Sequence, residues 1–346
     1  MKRINLKTLS RSGLDEWILS VGEKKFRAAQ LWSWMYQKNE TDFTRMTDLA
    51  RDFRGKLEET AEAGTLVLEN LRVSAASGTR KYLWRLEDGL RVESVFIPDG
   101  VRRTVCVSSQ VGCAMGCTFC ATGTMGFVRN LSAFEILEQF LGVWRDVGEK
   151  PTNIVVMGMG EPFLNYDAVI RAMTILNHQE GSAMGARKIT LSTSGIVPQI
   201  LRFAEEKQPF QLAISLNASS DAQRSEIMPV NRTYPLAPLL EAAKRYARSS
   251  RRRLTFEYVL LGGFNDSAED ARRLRRLLHG LPCKINLIAF NPTSGRFVRP
   301  PDERIHEFAE RIRPLCAPVT LRLSRGDDID GACGQLAVKQ RGSRRE

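Results

Sequence analysis

The 346-residue sequence predicts an α/β fold, a partial (βα)6 barrel preceded by a small helical domain. Three observations carry this. Six short β-rich runs, "RRTVCVSS", "NIVVMGMGE", "KITLSTSG", "FQLAISLNA", "RLTFEYVLLGG" and "KINLIAFNP", alternate with helical stretches, the order that builds parallel βα units. Ahead of them, apolar residues recur at helical spacing from about residue 2 to residue 62. Hydrophobic residues make up 43% of the chain, enough for one large core and a smaller one.

Residues 1–75 are expected to form the helical accessory domain, with Phe26, Leu31, Trp34 and Met35 on its apolar stripe. Residues 76–98 read as a strand-rich linker, because Asp88-Gly89 in "TRKYLWRLEDGLRVESVFIP" is a hairpin signal between two alternating runs. The barrel spans 99–328. Its first helix starts at the capping box of Ser132 and Glu135 in "LSAFEILEQF", directly after a glycine- and cysteine-rich loop. That loop therefore follows strand one, and catalytic groups in βα architectures collect at the carboxyl ends of the strands. Residues 329–346 form a separate C-terminal segment.

Net charge is +12 and the pI is near 9.6, which points to a polyanionic partner such as nucleic acid; a solvated basic face is the plainer alternative. The charge is clustered in Arg251, Arg252 and Arg253, in Arg272, Arg273, Arg275 and Arg276, and in Lys339, Arg341, Arg344 and Arg345, all candidate phosphate contacts. The start, "MKRINLKTLSRSGLDEWILS", has no apolar stretch of signal-peptide length, and no run approaches the roughly 20 apolar residues of a membrane span. A cytoplasmic protein is expected. Thiols stay reduced in that compartment, so clustered cysteines indicate metal or redox chemistry.

Such a cluster is present in "GCAMGCTFCATG", with Cys113, Cys117 and Cys120 inside eight residues. Zinc needs four ligands, and none of His178, His279 and His306 is near in sequence. Three thiolates on a four-iron cluster leave one iron open, which suggests chemistry; a structural cluster completed by a remote cysteine, or three unliganded buried cysteines, remain the alternatives. In "TVCVSS", Cys106 and Ser108 share the strand face opposite Val105 and Val107, the polar, lumen-facing side. Ser192 alternates with Leu191 in the same way, and Ser215 and Asn217 share a parity. Ordinary barrel filling would also account for each of these residues taken alone. Cys283 and Cys316 match no motif and read as core.

CxxxCxxC on the first loop of a βα barrel resembles the radical S-adenosylmethionine (radical SAM) enzymes. "GMGEP" at 158–162 is similar to the glycine-rich motif of their second strand. Cys106 in "VCVSSQVGC" and Cys333 in "RGDDIDGACGQL", together with "FRAAQLWSWMYQK" in the helical unit, narrow the resemblance to the RlmN/Cfr group of RNA adenine methyltransferases. The resemblance implies a 4Fe-4S cluster on Cys113, Cys117 and Cys120 and two S-adenosylmethionine molecules per turnover. It implies cofactor contacts from Gly160, Glu161, Ser192, Ser215, Leu216, Asn217 and Asn291. The Asn217 position varies between His and Asn in the family.

Carbon 2 of adenine is electron-poor and does not take a methyl cation by simple displacement. The family's solution implies that Cys333 accepts a methyl group, that an adenosyl radical removes hydrogen from it, and that the carbon radical adds to the base. Glu93 matches the assigned base, and burial in "RVESVFIP" would raise its pKa; a surface salt bridge is the plainer alternative. Cys106 then attacks the Cys333 sulfur and leaves a disulfide. The implied substrates are the peptidyl-transferase-centre adenosine of 23S rRNA and an adenosine of tRNA, with a flavodoxin or ferredoxin as electron donor and a monomeric enzyme. Two other readings stay open: Cfr-type methylation of carbon 8, and a structural iron-sulfur protein of ribosome assembly.

Overall fold

The computed structural model describes residues 3–250, 253–293, 295–313, 318–322 and 324–338. In chain order, β1 (Ile4–Asn5), α1 (Arg11–Ser20), α2 (Phe26–Tyr36), α3 (Arg51–Thr60) and β2 (Ala61–Glu62) form the N-terminal unit. The strands β3 (Val67–Val73), β4 (Arg80–Arg85), β5 (Arg91–Asp99) and β6 (Arg102–Val107) follow. Next come the hairpin strand β7 (Gln110–Gly112), the short helix α4 (Ala121–Thr124), the second hairpin strand β8 (Phe127–Asn130) and α5 (Ala133–Val147). Strands β9 (Asn153–Val156), β10 (Ile189–Thr193) and β11 (Gln211–Ser215) alternate with α6 (Tyr166–Asn177) and α7 (Val197–Glu205). The chain continues through α8 (Asp221–Ile227), α9 (Leu236–Ser250), β12 (Leu254–Leu260), α10 (Ala268–Leu278), β13 (Cys283–Ala289), α11 (Asp302–Ile312) and β14 (Val319–Arg322).

One sheet organises the molecule, with strand order β14-β13-β12-β11-β10-β9-β6-β5-β4-β3. From β6 to β14 the pairing is parallel, and from β3 to β6 it is antiparallel. All six strands expected from the sequence are present. A seventh parallel strand, β14, extends them; four residues are too short to show a clear alternation. The stretch expected as a linker is no linker. Its hairpin, closed by Gly89 in the left-handed region, adds β3, β4 and β5 to the central sheet, and β3 starts at Val67 inside the stretch expected to be helical. Antiparallel strands need only tight turns, so they can continue a parallel sheet without crossover helices.

Helix α5 begins at the expected capping box, with Ser132 Oγ accepting from Glu135 N and the Glu135 carboxylate accepting from Ser132 N. Helix α2 differs from expectation in one respect. Its buried stripe is Ala28, Leu31, Trp32 and Met35, whereas Phe26 is exposed and Trp34 half-buried. The i, i+3, i+4, i+7 spacing selects that face, and Phe26 falls outside it. Cys283, at the start of β13, is core as expected; Cys316 lies outside the described residues. Among the described residues, no helix is long and apolar enough to cross a membrane.

The N-terminal unit is bound to the barrel through a buried charge. Lys7 Nζ sits 2.5 Å from Glu138 Oε1 of α5, both side chains fully buried, and also donates to the Gly64 carbonyl at 3.2 Å. Arg145 Nη2 takes the other Glu138 oxygen at 2.5 Å and its Nη1 reaches Asn39 at 2.8 Å. Burial lowers the Lys7 pKa, and the Glu138 carboxylate opposes that. Removing Glu138 leaves the buried Lys7 ammonium without its counter-ion, whereas without Lys7 the Glu138 carboxylate keeps Arg145. Glu138→Met is therefore expected to cost about 3–5 kcal/mol in chemical denaturation, while the Lys7→Met/Glu138→Met double variant recovers part of that loss. Equal stability of Glu138→Met and the native chain would contradict this account.

Candidate active site

The register of the sheet collects the polar residues on one face. Cys106 is opposite Val95 of β5 and Val155 of β9, so it shares a face with Glu93 and Met157. On the far strands the same face carries Ser192, Ser215, Glu257, Asn286, Thr320 and Arg322. Their side chains meet: Ser192 Oγ donates to Glu257 Oε2 at 2.8 Å, lies 3.5 Å from Ser215 Oγ, and Asn286 Nδ2 reaches Glu257 Oε1 at 3.5 Å. Glu257, Arg322 and Lys81 belong to no motif. The alternation Phe256-Glu257-Tyr258 would have found the first of them, since it is the pattern that marks Cys106.

The cysteine loop follows β6, whose carboxyl end is joined to the turn after β9 by Ser109 N donating to the Met159 carbonyl at 2.8 Å and Gly158 N to the Val107 carbonyl at 3.1 Å. Gly112 has φ +74, and a Cβ there would collide with the Gly126 carbonyl, so the β7/β8 hairpin closes only over glycine. Helix α8 supports the loop from below, with Thr118 N donating to the Ile227 carbonyl at 3.0 Å. Cys113 and Cys117 are buried and Cys120 half-buried. Burial pushes the Cys113 thiol up to about 12 and Cys117 well above its ordinary value; Cys120 adds to both. Arg224 of α8, fully buried, donates to the carbonyls of Leu216 at 3.0 Å, Ser194 at 2.5 Å and Ser215 at 3.2 Å. Burial lowers its pKa to about 10, and the facing Cys117 opposes the shift.

Beside the loop, Gly160 has φ +99 and a Cβ would meet Gln110 at 2.5 Å, so the turn after β9 needs glycine. Glu161 is buried, with Oε1 accepting from Phe163 N at 2.9 Å and Oε2 from Ser194 N at 2.7 Å. Burial raises its pKa and those amides oppose it. Leu216 and Asn217 are buried parts of the scaffold. Leu216 N donates to the Glu257 carbonyl, and Asn217, with φ +57, accepts from Val259 N at 2.9 Å. Ser108 is also structural, donating to the Glu93 carbonyl at 2.5 Å and accepting from Met159 N at 2.8 Å.

The C-terminal segment returns across this face and docks on the loop. Ala121 N donates to the Gly334 carbonyl at 2.7 Å, Thr122 Oγ1 to the Leu336 carbonyl at 2.6 Å, and Asn291 Nδ2 to the Cys333 carbonyl at 3.0 Å. Cys333 and Cys106 thereby come within range of each other's charge. Burial first, then Cys333, pushes the Cys106 thiol up to about 12; Arg322 and a hydrogen bond from the Met157 amide pull it down. The Cys333 thiol is likewise raised by burial, with Arg322 opposing and Glu257 and Cys120 adding.

Glu93 stands at the edge of this assembly. It is buried, neither free nor in a surface salt bridge: Oε1 pairs with Lys81 Nζ at 2.9 Å and Oε2 accepts from Ala337 N at 3.1 Å. Burial raises its pKa, opposed chiefly by Lys81. With Asn70, Leu83, Arg91, Ala337 and Val338 among its neighbours, Glu93 lines an open cavity of about 440 Å³. In the arginine block of α10, Arg272, Arg273 and Arg276 are paired with Glu269 or Asp270 of the same helix. Opposite charges three residues apart, and seven for Arg276, pair along one face of the helix. Arg251, Arg252, Lys339, Arg341, Arg344 and Arg345 lie outside the described residues.

Two family models match the chain. Residues 4–63 match the ribosomal RNA large subunit methyltransferase N-terminal domain, and residues 107–275 match the radical SAM superfamily. The dual-specificity RNA methyltransferase RlmN of Geobacter sulfurreducens is 50% identical over 97% of this chain and 92% of its own. The chain belongs to the RlmN family. A probable RlmN of Geobacillus kaustophilus is 44% identical over 96% of this chain and 92% of its own. The crystal structure of a radical SAM methyltransferase from Sphaerobacter thermophilus superposes with TM-score 0.91 and 45% identity, covering 96% of this chain and 99% of that one.

An RlmN-family radical SAM protein uses S-adenosylmethionine and a 4Fe-4S cluster, and the donor set suits that group. Among the described residues, no three His, Cys, Asp or Glu side chains converge on a single ion. A cubane takes each thiolate on a different iron, so its ligands stand apart around it. Cys113, Cys117 and Cys120, on one loop and within each other's field, would hold it. Replacing any one of the three with Ala is expected to abolish cluster assembly, read as lost iron, sulfide and visible absorbance after anaerobic reconstitution. Full loading of such a variant would remove the loop from the cluster.

Proposed function

We propose that the chain methylates carbon 2 of adenine in 23S rRNA, at the peptidyl-transferase-centre adenosine, and in tRNA. The observation that supports this chemistry is the C-terminal segment seated on the cysteine loop through Ala121 and Thr122, which brings Cys333 within electrostatic range of Cys106 on the first barrel strand; the choice of carbon 2 rests on the kinship with the RlmN proteins. A methyltransferase that only displaced a methyl group would have no use for two facing thiols there. When bound, the cluster and two S-adenosylmethionine molecules per turnover supply the methyl group and a hydrogen-abstracting radical, with a flavodoxin or ferredoxin as electron source.

The chain's own residues do the rest. Gly160, Glu161, Ser192, Ser215, Leu216, Asn217 and Asn291 are assigned to the cofactor, with the Ser192-Ser215-Glu257 cluster offering hydroxyl and carboxylate partners and Leu216 and Asn217 serving through the backbone they fix. Cys333 holds the one-carbon unit, and Asn291 fixes its backbone. Glu93 receives the carbon-2 proton, and the odd electron left on the base by radical addition leaves to the one-electron carrier that a bound cluster would provide, so that the adduct is closed-shell before its S–C bond breaks. Both its oxygens are engaged by Lys81 and Ala337, so this step requires the end of the segment to shift. Cys106 attacks the Cys333 sulfur; an S–S bond forms, the S–C bond breaks, and its electron pair goes to the carbon left on the base, which takes a proton. The N-terminal unit and the basic surface are assigned to the RNA backbone, and the target base leaves its stack to enter the barrel, which favours loops over duplex.

The two extra cysteines act in order and are expected to fail differently. Cys333→Ala should assemble its cluster yet give no methylated RNA. Cys106→Ala should accumulate RNA covalently attached through Cys333, visible as a shifted band on a denaturing gel. Normal turnover by Cys106→Ala, with no attached RNA, would overturn the reading. Mass analysis of the modified nucleoside separates carbon 2 from carbon 8.

A further inference from the structure

One ion pair holds both ends of the loop that carries Cys333. Lys81 of β4 is in register with Val95 of β5, Val95 is in register with Cys106 of β6, and Glu93 lies two residues along the same face of β5. Lys81 Nζ donates in two directions, to Glu93 Oε1 at 2.9 Å and to the Asp330 carbonyl at 3.2 Å. Glu93 Oε2 accepts from Ala337 N at 3.1 Å. The ammonium therefore takes the start of the loop and the carboxylate its end, with Cys333 between them. The start is braced further, because Arg72 Nη1 meets Asp330 Oδ2 at 3.0 Å and Gly331 N donates to the Gly326 carbonyl at 2.7 Å. Lys81 is buried, whereas Ala337 is exposed and borders the open cavity beside Glu93.

We propose that Lys81 is a positioning residue for proton removal: it holds one oxygen of Glu93 against the start of the Cys333 loop, so that the other oxygen acts as the base when Ala337 withdraws. The inference rests on the role given to Glu93 above. A carboxylate has two acceptor oxygens, and each end of the loop uses one. Proton transfer needs an oxygen open within hydrogen-bond reach of the proton. Oε2 is the one that opens, because its partner is a neutral amide facing the cavity, while Oε1 is held by a buried ammonium in the stronger, charge-assisted bond. At Oε2 the carbon-2 C–H bond breaks, its electron pair stays on the adenine ring, and an O–H bond forms. Lys81 keeps its grip on the Asp330 carbonyl throughout, so the base and the sulfur that bears the carbon unit retain a fixed relation. The charged and titratable groups facing Glu93 are Lys81 of β4 and Asp330 of the segment; Arg91 and Glu69, paired with each other, line the same cavity, and Cys106 shares the sheet face. Burial favours the neutral acid, and the ammonium is what opposes it most.

The test is hydrogen exchange of the full-length, cluster-reconstituted chain under anaerobic conditions, read by mass spectrometry on peptides from 326–338, with a peptide from β13 reporting any loosening of the whole fold. Lys81→Met is expected to speed exchange in 326–338 about tenfold and to leave β13 as it is. Lys81→Arg, which keeps a cation there, should stay within about threefold of the native chain. Glu93→Gln probes the same clasp from the other side: an amide has one acceptor oxygen, so one end of the loop comes free and exchanges faster. Unchanged exchange in both Lys81→Met and Glu93→Gln, or an equal gain in the Met and Arg variants, would overturn the proposal. Single-turnover methylation of RNA against pH separates positioning from mere support, because its acid limb reports the ionised base. Without the ammonium the Glu93 pKa rises and less of it is ionised at low pH, so the limb should move to higher pH in Lys81→Met and stay in place in Lys81→Arg. A limb that stays in place in Lys81→Met would leave Lys81 a structural residue and overturn the proposal. Absence of methylated RNA from the native chain would end the proposed function while leaving the exchange rates as they are.

Discussion

Two hydrogen bonds from the short helix after the cysteine loop hold the site together. The Ala121 amide binds the Gly334 carbonyl and the Thr122 hydroxyl binds the Leu336 carbonyl, joining residues 214 positions apart in the second case. They seat the C-terminal segment on the loop, and the segment brings Cys333 to Cys106. Remaining contacts serve the same seating: Asn291 on the Cys333 carbonyl, Glu93 on the Ala337 amide, Lys81 on the Asp330 carbonyl at 3.2 Å. The antiparallel strands β4 and β5 supply Lys81 and Glu93, so the extension of the sheet forms one wall of the segment's berth.

Buried charge recurs at each junction. Lys7 with Glu138 ties the helical unit to the barrel, Lys81 with Glu93 ties the sheet extension to the segment, and Arg224 ties the loop's supporting helix to the strand ends. A buried ion pair adds little net stability over a well-packed apolar contact, but removing one partner is costly, so such pairs fix which surfaces meet. Arg224 is the variant of this theme with carbonyls in place of a carboxylate, next to a thiol that a cluster would hold ionised.

The family relationship and the geometry bear on different questions. Half of the residues are shared with the Geobacter sulfurreducens RlmN over nearly the whole chain, which establishes the family. Geometry bears on how the parts cooperate, and it qualifies what the motifs alone imply. Leu216 and Asn217 have their polar groups committed to neighbouring strands, and Glu93 is clasped on both oxygens. Much of the arginine block on α10 is spent on Glu269 and Asp270.

The order of strands and helices, the Asp88-Gly89 hairpin, the capping box at Ser132 and the lumen-facing parity of Cys106 were all legible in the sequence, because each is set by residues within a few positions of one another. The cysteine spacing was legible for the same reason: three ligands on one loop are a local fact. Only the tertiary structure decided that 76–98 extends the sheet, that β14 joins as a seventh parallel strand, and that Glu257 and Arg322 share a sheet face with Cys106. Those depend on which strand edges pair and where the segment returns. Pairing energy comes from contacts between residues tens to hundreds of positions apart, and no local alternation of polar and apolar residues encodes its partner.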